Sequence, residues 1–242
     1  MFETLVFIFI VGFLAQLIDG ALGMAYGVTS NSFLLSLGFA PAVASATVHT
    51  AEVFTTLASG ISHLKLGNVD KKLFINLALP GSLTAIIGAY LLVNFPTGII
   101  KDLVAVYLIL MGGVIILRGF GRNIFFRKVN VRLLAGIGGL LDAMGGGGWG
   151  PVVTSTLIAN GEDPKKTIGS VNLSEFFVTI TQSMTFFILL GIVKPEAVIA
   201  LLIGGVVAAP LAAYICRKAP TKTLLILVGL LIIALNTSTL LT

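Results

Sequence analysis

The sequence predicts an all-α polytopic membrane protein built from two inverted-topology repeats of five helical segments each, with the first pair of each repeat broken or re-entrant. Three observations predict it: an apolar composition, a polar register that recurs 123 positions later, and a one-sided placement of basic residues.

Composition decides the class. Of 242 residues, 57% are hydrophobic and 10% charged, and the mean hydropathy is +1.07. Soluble domains carry about 25% charged residues, so a water-soluble fold of this size is excluded. No polar stretch is long enough to fold in water, which leaves one continuous membrane domain. The net charge of +5 points to Lys and Arg collected in cytoplasmic loops rather than to nucleic acid. A single cysteine, Cys216, rules out an intramolecular disulfide and a Cys-based metal site. No signal peptide is expected, because Glu3 stands where a basic stretch belongs and the apolar run continues into Asp19.

Gly, Pro and charge punctuate the apolar pattern at Asp19-Gly20, Gly38 to Pro41, Gly67 to Lys72, Asn94 to Pro96 and Arg118 to Arg132. They recur at Asp142 to Gly150, Asn160 to Pro164, Gly191 to Pro195 and Arg217 to Lys222. Ten helical segments result: 2–19, 23–38, 41–66, 70–94, 98–118, 130–143, 147–160, 164–190, 194–216 and 221–241. A span needs about 20 apolar residues, so the second, sixth and seventh are short.

A shift of 123 carries Asp19 onto Asp142, Gly23 onto Gly146, Tyr26 onto Trp149, Gly27 onto Gly150, Ser32 onto Ser155, Pro41 onto Pro164, Glu52 onto Glu175 and Thr56 onto Thr179. With one residue inserted, Tyr90 meets Tyr214 and Pro96 meets Pro220. Matched Leu or Val means little in so apolar a chain, whereas matched Asp, Glu, Pro and Gly in one register indicate duplication. Repeat 1 is expected over 1–122 and repeat 2 over 123–242. With the loop after segment three in the cytoplasm, every basic residue except Lys101 and Lys194 falls on the cytoplasmic side. Basic loops set orientation, so both termini are expected outside and the two repeats inserted in opposite senses. Inverted repeats of this kind characterise secondary transporters, with substrate bound near the midplane.

Two carboxylates sit near the middle of long segments: Glu52 in the third and Glu175 in the eighth. A charge there costs at least about 2.5 kcal/mol, so it normally faces a polar interior with a function. Ser45, His49, Glu52, Thr56, Ser59 and His63 make one helical stripe, and Asn172, Glu175, Thr179 and Gln182 make its counterpart. Two readings stand: a pathway lining, or protonated glutamates hydrogen-bonded for structure. The glycine-rich stretches Asp19 to Gly27 and Asp142 to Gly150 interrupt equivalent segments. A helix restarting after such a break offers free N–H groups to an anion; close helix packing by small residues is the competing reading.

No Lys or Arg falls mid-membrane, so an anion would be held by backbone N–H groups and neutral side chains such as Ser32, Asn172 and Ser155. His49 and His63 are too few for a metal site, no nucleotide-binding domain is present, and neither a cofactor nor an enzymatic role is expected. An intramembrane aspartyl protease built on Asp19 and Asp142 is set aside, because repeat symmetry explains their placement.

The stretches Ile18-Asp19-Gly20-Ala21-Leu22-Gly23-Met24-Ala25-Tyr26-Gly27 and Gly138 to Pro151 resemble the paired glycine motifs of the TauE/SafE sulfite-exporter family. His49-Thr50-Ala51-Glu52 and Asn172-Leu173-Ser174-Glu175 resemble its paired polar motifs, and the likeness spans the whole chain. The resemblance implies a multi-pass transporter of the prokaryotic plasma membrane that exports sulfite, a sulfonate or another small anion, driven by an ion gradient.

The expected substrate site comprises Gly23, Ser32, His49, Glu52, Thr56, Gly146, Gly147, Ser155, Asn172, Glu175 and Thr179, with Glu175 or Glu52 carrying a proton. Asn172 lends Glu175 no charge where His49 stands beside Glu52, so Glu175 is the expected carrier. The alternative is a cation carrier or channel with Glu52 and Glu175 as ligands. Expected partners are the anion and the lipid bilayer, not nucleic acid; a homo-oligomer is compatible with the sequence but not required by it.

Overall fold

The structure is a computed structural model that describes residues 2–122, 129–215 and 221–241. The expected repeat boundary between 122 and 123, the basic residues Arg127, Lys128, Arg217 and Lys218, and Cys216 and Pro220 lie outside the described residues.

The described residues form helices α1 (Phe2–Leu22), α2 (Tyr26–Ser36), α3 (Pro41–Lys65), α4 (Lys71–Asn94), α5 (Thr97–Gly119) and α6 (Val131–Gly145). A single π-turn over Gly150–Thr154 leads into α7 (Ser155–Ala159), followed by α8 (Pro164–Leu190), α9 (Pro195–Ile215) and α10 (Thr221–Leu241). Local chemistry fixes several starts. Asp70 Oδ1 accepts from Leu73 N at 2.8 Å, Asn130 Oδ1 from Arg132 N at 3.0 Å, and Asp163 Oδ1 from Lys166 N at 2.8 Å. Pro41 and Pro164 open α3 and α8, where their missing N–H is no loss.

Among the described residues, four stretches are long and apolar enough to cross a membrane: Glu3–Gly20, Lys71–Asn94, Lys101–Gly119 and Lys165–Leu190. At 11 residues, α2 spans only about 16 Å and cannot cross a hydrocarbon core of about 30 Å. Large apolar side chains such as Phe7, Leu14, Leu79, Leu110 and Phe187 point outward, while Asn31, His49, Asn172, Thr179, Gln182 and Asn236 are fully buried. That polarity suits a lipid solvent, in which buried polar groups must find partners inside the protein.

The helices pack in matched pairs. α1 lies on α9 and its sequence counterpart α6 lies on α4, while α5 packs on α10 and α3 on α8. Small residues allow these approaches: a Cβ on Gly112 would stand 2.9 Å from Gly229 O, and one on Gly229 would stand 2.6 Å from Gly112 O.

Two boundaries differ from expectation. The break foreseen at Asp19-Gly20 falls later, because α1 continues through Asp19 to Leu22; likewise α6 continues through Asp142 to Gly145. The helices end at Gly23 and Gly146, each with φ of 65°. This left-handed cap is one that glycine adopts without a Cβ penalty. Ala25, with φ of 112°, completes the first break.

Candidate functional site

The two interruptions meet in the interior. A Cβ on Gly27 would lie 2.7 Å from Gly147 Cα, and one on Gly150 would lie 2.6 Å from Met24 Cα. These two contacts are related by the 123-residue register. A Cβ on Gly147 would collide with the backbone of Gly27 and Val28, and one on Gly146 with the Asn31 amide. Thr154 Oγ1 donates to Gly23 O at 3.1 Å, and Asn31 Nδ2 donates to Gly145 O at 2.6 Å. Close packing of one break on the other is therefore sufficient reason for glycine at positions 27, 147 and 150.

The restarting helices are capped by their own repeat's aspartate, seven residues earlier. Tyr26 N donates to Asp19 Oδ1 at 3.4 Å and Trp149 N to Asp142 Oδ1 at 2.9 Å. A carboxylate thus already stands where a helix N-terminus attracts negative charge, and Pro151 removes a further donor from the second restart. Asp142 Oδ2 also accepts from Gln182 Nε2 at 2.8 Å and lies 3.2 Å from His49 Nε2. His49 Nδ1 sits 2.8 Å from the Ser45 carbonyl, which can only accept, so Nδ1 carries a hydrogen. Nε2 is then left to face Asp142 Oδ2.

The polar stripes of α3 and α8 face each other. Thr56 Oγ1 and Thr179 Oγ1, repeat equivalents, stand 3.4 Å apart, and Ser59 Oγ donates to Asn172 Oδ1 at 2.9 Å. Glu52 lies 4.0 Å from His49 Nε2, and its Oε2 is buried with no hydrogen-bond partner. Glu175 is buried on α8. A Cβ on Gly23 would stand 3.4 Å from Asn172 Nδ2, which places the first break against this stripe.

Other expected residues are engaged elsewhere. Ser32 Oγ donates to Val28 O at 2.6 Å and accepts from Asn236 Nδ2 of α10 at 2.8 Å. Ser155 Oγ accepts from Arg118 Nη1 at 2.9 Å. Arg118 was expected among loop residues; the structure brings its guanidinium to the second interruption.

Two cavities lie toward opposite ends of α3. One of about 400 Å³ is bordered by Gln16, Gly20, Ser59, Ser62 and His63, between α1, α3 and α9. The other, about 320 Å³, is largely apolar, with Thr50, Ser183, Phe186, Phe187 and Ile192 in its wall. Among the described residues, no group of three or more His, Cys, Asp or Glu side chains is placed to hold a metal ion.

Sequence reasoning missed Asp142, Asp19, Asn31 and Asn236 as members of the interior network. The two aspartates carried a signal, since each repeats in register beside a glycine break. Asn31 pairs in the register with Thr154, and each donates to a carbonyl of the opposite break; Asn236 has no equivalent of matching chemistry, and only packing places it.

Residues 8–239 match the family described as Sulfite exporter TauE/SafE. A protein of Bacillus subtilis (strain 168), named Probable membrane transporter protein YtnM, is 45% identical over 251 residues, covering 99% of this chain and 83% of that protein. No solved structure matches the chain.

Proposed function

The chain belongs to the TauE/SafE sulfite-exporter family, and we propose that, as a membrane transporter of that family, it exports a small anion, a sulfur oxyanion such as sulfite or an organosulfonate, by proton-coupled secondary transport. It is a multi-pass membrane protein with a small-molecule substrate, not an enzyme. The two halves insert into the prokaryotic plasma membrane in opposite orientations with both termini outside.

The observation that carries this reading is the meeting of two interrupted helices, one from each half, beside the facing polar stripes of α3 and α8. Irregular backbone at membrane depth is tolerated where protein or a water-filled cavity surrounds it, and transporter sites form at such places. The cavity bordered by Ser59 and His63 supplies a route toward Asn172 and Gly23 from the cytoplasmic end. Glu175, with no cationic neighbour at the position His49 holds beside Glu52, carries the proton; protonated, it donates to the anion, and deprotonated, it repels it.

The test is a binding screen on purified protein over sulfite, sulfate, thiosulfate, sulfonates and carboxylates, followed by flux in proteoliposomes under an imposed proton gradient. Saturable binding of one anion class with proton-coupled flux is expected. Orientation is read by labelling single cysteines at positions 123 and 242 in a Cys216→Ser background; an external label at 123 breaks the inverted arrangement.

A second reading draws on the buried atoms that lack hydrogen-bond partners. They include Gln16 Oε1, Asn31 Oδ1, Glu52 Oε2, Gln182 Oε1 and Asn236 Oδ1, all acceptors. A cation would satisfy acceptors, so cation-selective current with no anion flux would favour a carrier or channel that uses Glu52 and Glu175 as ligands.

A further inference from the structure

Arg118 ends α5 and turns inward. Its Nη1 donates to Ser155 Oγ at 2.9 Å and approaches Met24 Sδ at 3.3 Å. Met24 lies inside the first interruption, between Gly23 and Ala25, and Ser155 follows the π-turn of the second. One guanidinium thus touches both helix breaks. Both neighbours are buried, and Arg118 is half-buried.

Its charge is not balanced by the protein described. Among the described residues the ion-pair contacts are those of His49 with Glu52 and Asp142, and none reaches Arg118. A thioether sulfur is a weak acceptor and a serine hydroxyl is neutral. Of the five N–H donors a guanidinium carries, only those of Nη1 have partners among the described residues. Withdrawing a cation from water without a counter-charge is costly, and a fork of free N–H groups matches an anion that presents two oxygens on one face.

We propose that Arg118 and Ser155 form a site for one small oxyanion at the cytoplasmic end of the protein, where the ion is held before it reaches the paired helix breaks. The proposal rests on the anion-transporter reading for the source of that ion; the same chemistry would accept the phosphate of a lipid headgroup. The site joins both halves but has no second copy, because by the register that pairs Tyr90 with Tyr214 the equivalent of Arg118 is Thr242. An ion is therefore held this way at one end of the protein.

The test uses the purified full-length protein, whose single tryptophan, Trp149, lies six residues before Ser155. Sulfite is titrated in lipid-free detergent, with chloride held constant, against Trp149 emission and by calorimetry. Arg118→Gln should weaken binding by at least about tenfold, the usual scale for a charged hydrogen bond. Arg118→Lys should weaken it less, and Ser155→Ala should fall between Arg118→Lys and the wild type. In parallel, thermal stability is compared in nanodiscs of phosphatidylcholine alone and nanodiscs containing phosphatidylglycerol.

Sulfite binding lost in Arg118→Gln supports the site and names the free ion as its source. Absent sulfite binding, with a phosphatidylglycerol-dependent stabilisation that Arg118→Gln removes, supports the oxyanion site, names the headgroup, and counts against the transporter reading of its source. Neither effect depending on Arg118 overturns the site, while wild-type anion flux in that case leaves the transport function standing. If Arg118→Gln does not fold, Arg118→Lys and Ser155→Ala carry the same comparison, and unchanged affinity in both overturns the proposal.

Discussion

The first interruption, Asp19 to Gly27, and the second, Asp142 to Gly150, share a register, a left-handed glycine and an aspartate that caps the restarting helix, yet they are held very differently. Asp19 accepts one long hydrogen bond, from Tyr26 N at 3.4 Å. Asp142 accepts from Trp149 N at 2.9 Å and Gln182 Nε2 at 2.8 Å, and lies 3.2 Å from His49 Nε2. The cause is two side chains. The counterparts of His49 and Gln182 are Asn172 and Ser59, and these bond to each other and, through Asn172 Nδ2, to Ile168 O. The aromatic anchors, by contrast, are held alike: Trp149 packs on Gly81 and donates its indole N–H to Val171 O at 3.4 Å, and Tyr26 packs on Gly205 and donates its hydroxyl to Leu201 O at 3.2 Å. The two breaks share the backbone device; their different side-chain partners make one an anchor and leave the other loosely held. Any rearrangement that opens the interior should begin at the first.

Removing each aspartate gives the largest expected contrast. Asp142→Ala strands Trp149 N–H, His49 and Gln182 in the interior, and the loss should be about 3–5 kcal/mol, the scale for breaking a buried charged pair. Asp19→Ala removes a single cap and should cost about 0.5–2 kcal/mol. Unfolding of the purified protein in detergent measures both; equal losses would break the comparison.

Glycine substitutions come next. Gly147→Val drives its side chain into Gly27 and Val28, so the folded, monodisperse fraction on size-exclusion should fall sharply. Gly23→Ala meets Ile168 Cγ2 at 3.3 Å and adds left-handed strain of about 1–2 kcal/mol, so most of that protein should still fold. A stable Gly147→Val protein would dissolve the back-to-back contact.

A smaller effect on stability but a clear one on transport is expected at the glutamates. Glu175→Gln should leave yield and anion binding within about 1 kcal/mol of wild type and flatten the pH dependence of flux in proteoliposomes. Glu52→Gln alters a group 4.0 Å from His49 and should disturb the anchored side instead, lowering stability more. Proton-coupled flux unchanged in Glu175→Gln would refute the assignment.

The smallest effect is at the threonine pair. Thr56 and Thr179 each also bond within their own helix, to Glu52 O at 2.7 Å and Phe176 O at 3.2 Å. A double-mutant cycle to alanine should therefore give a coupling near or below about 0.5 kcal/mol. A coupling well above 1 kcal/mol, on the same scale, would show that the contact between the two halves fixes their relative position.

Much of this was legible in the chain itself. Apolar runs bounded by Gly, Pro and charge located all ten segments, and matched Asp and Gly located both interruptions. The breaks were placed too early because an aspartate beside a glycine reads as punctuation, whereas each aspartate stays helical and reaches over the gap. Arg118 was assigned to a loop because helix-end arginines usually face water; its long stem instead carries the guanidinium to Ser155. The polar stripes were visible as spacing, but spacing gives a face and not a partner.

The sequence by itself determined the membrane class, the helical segments, the 123-residue register and the family, because composition, periodicity and register are properties of one chain read along its length. Only the tertiary structure decided that the two interruptions pack against each other, that Asp142 is held threefold and Asp19 once, and that Arg118 bridges both breaks. Several of those contacts join residues more than 90 positions apart, such as Met24 with Arg118 and His49 with Asp142. Their strength depends on distances of a few tenths of an ångström in a solvent-excluded interior, where a partner missed cannot be replaced by water.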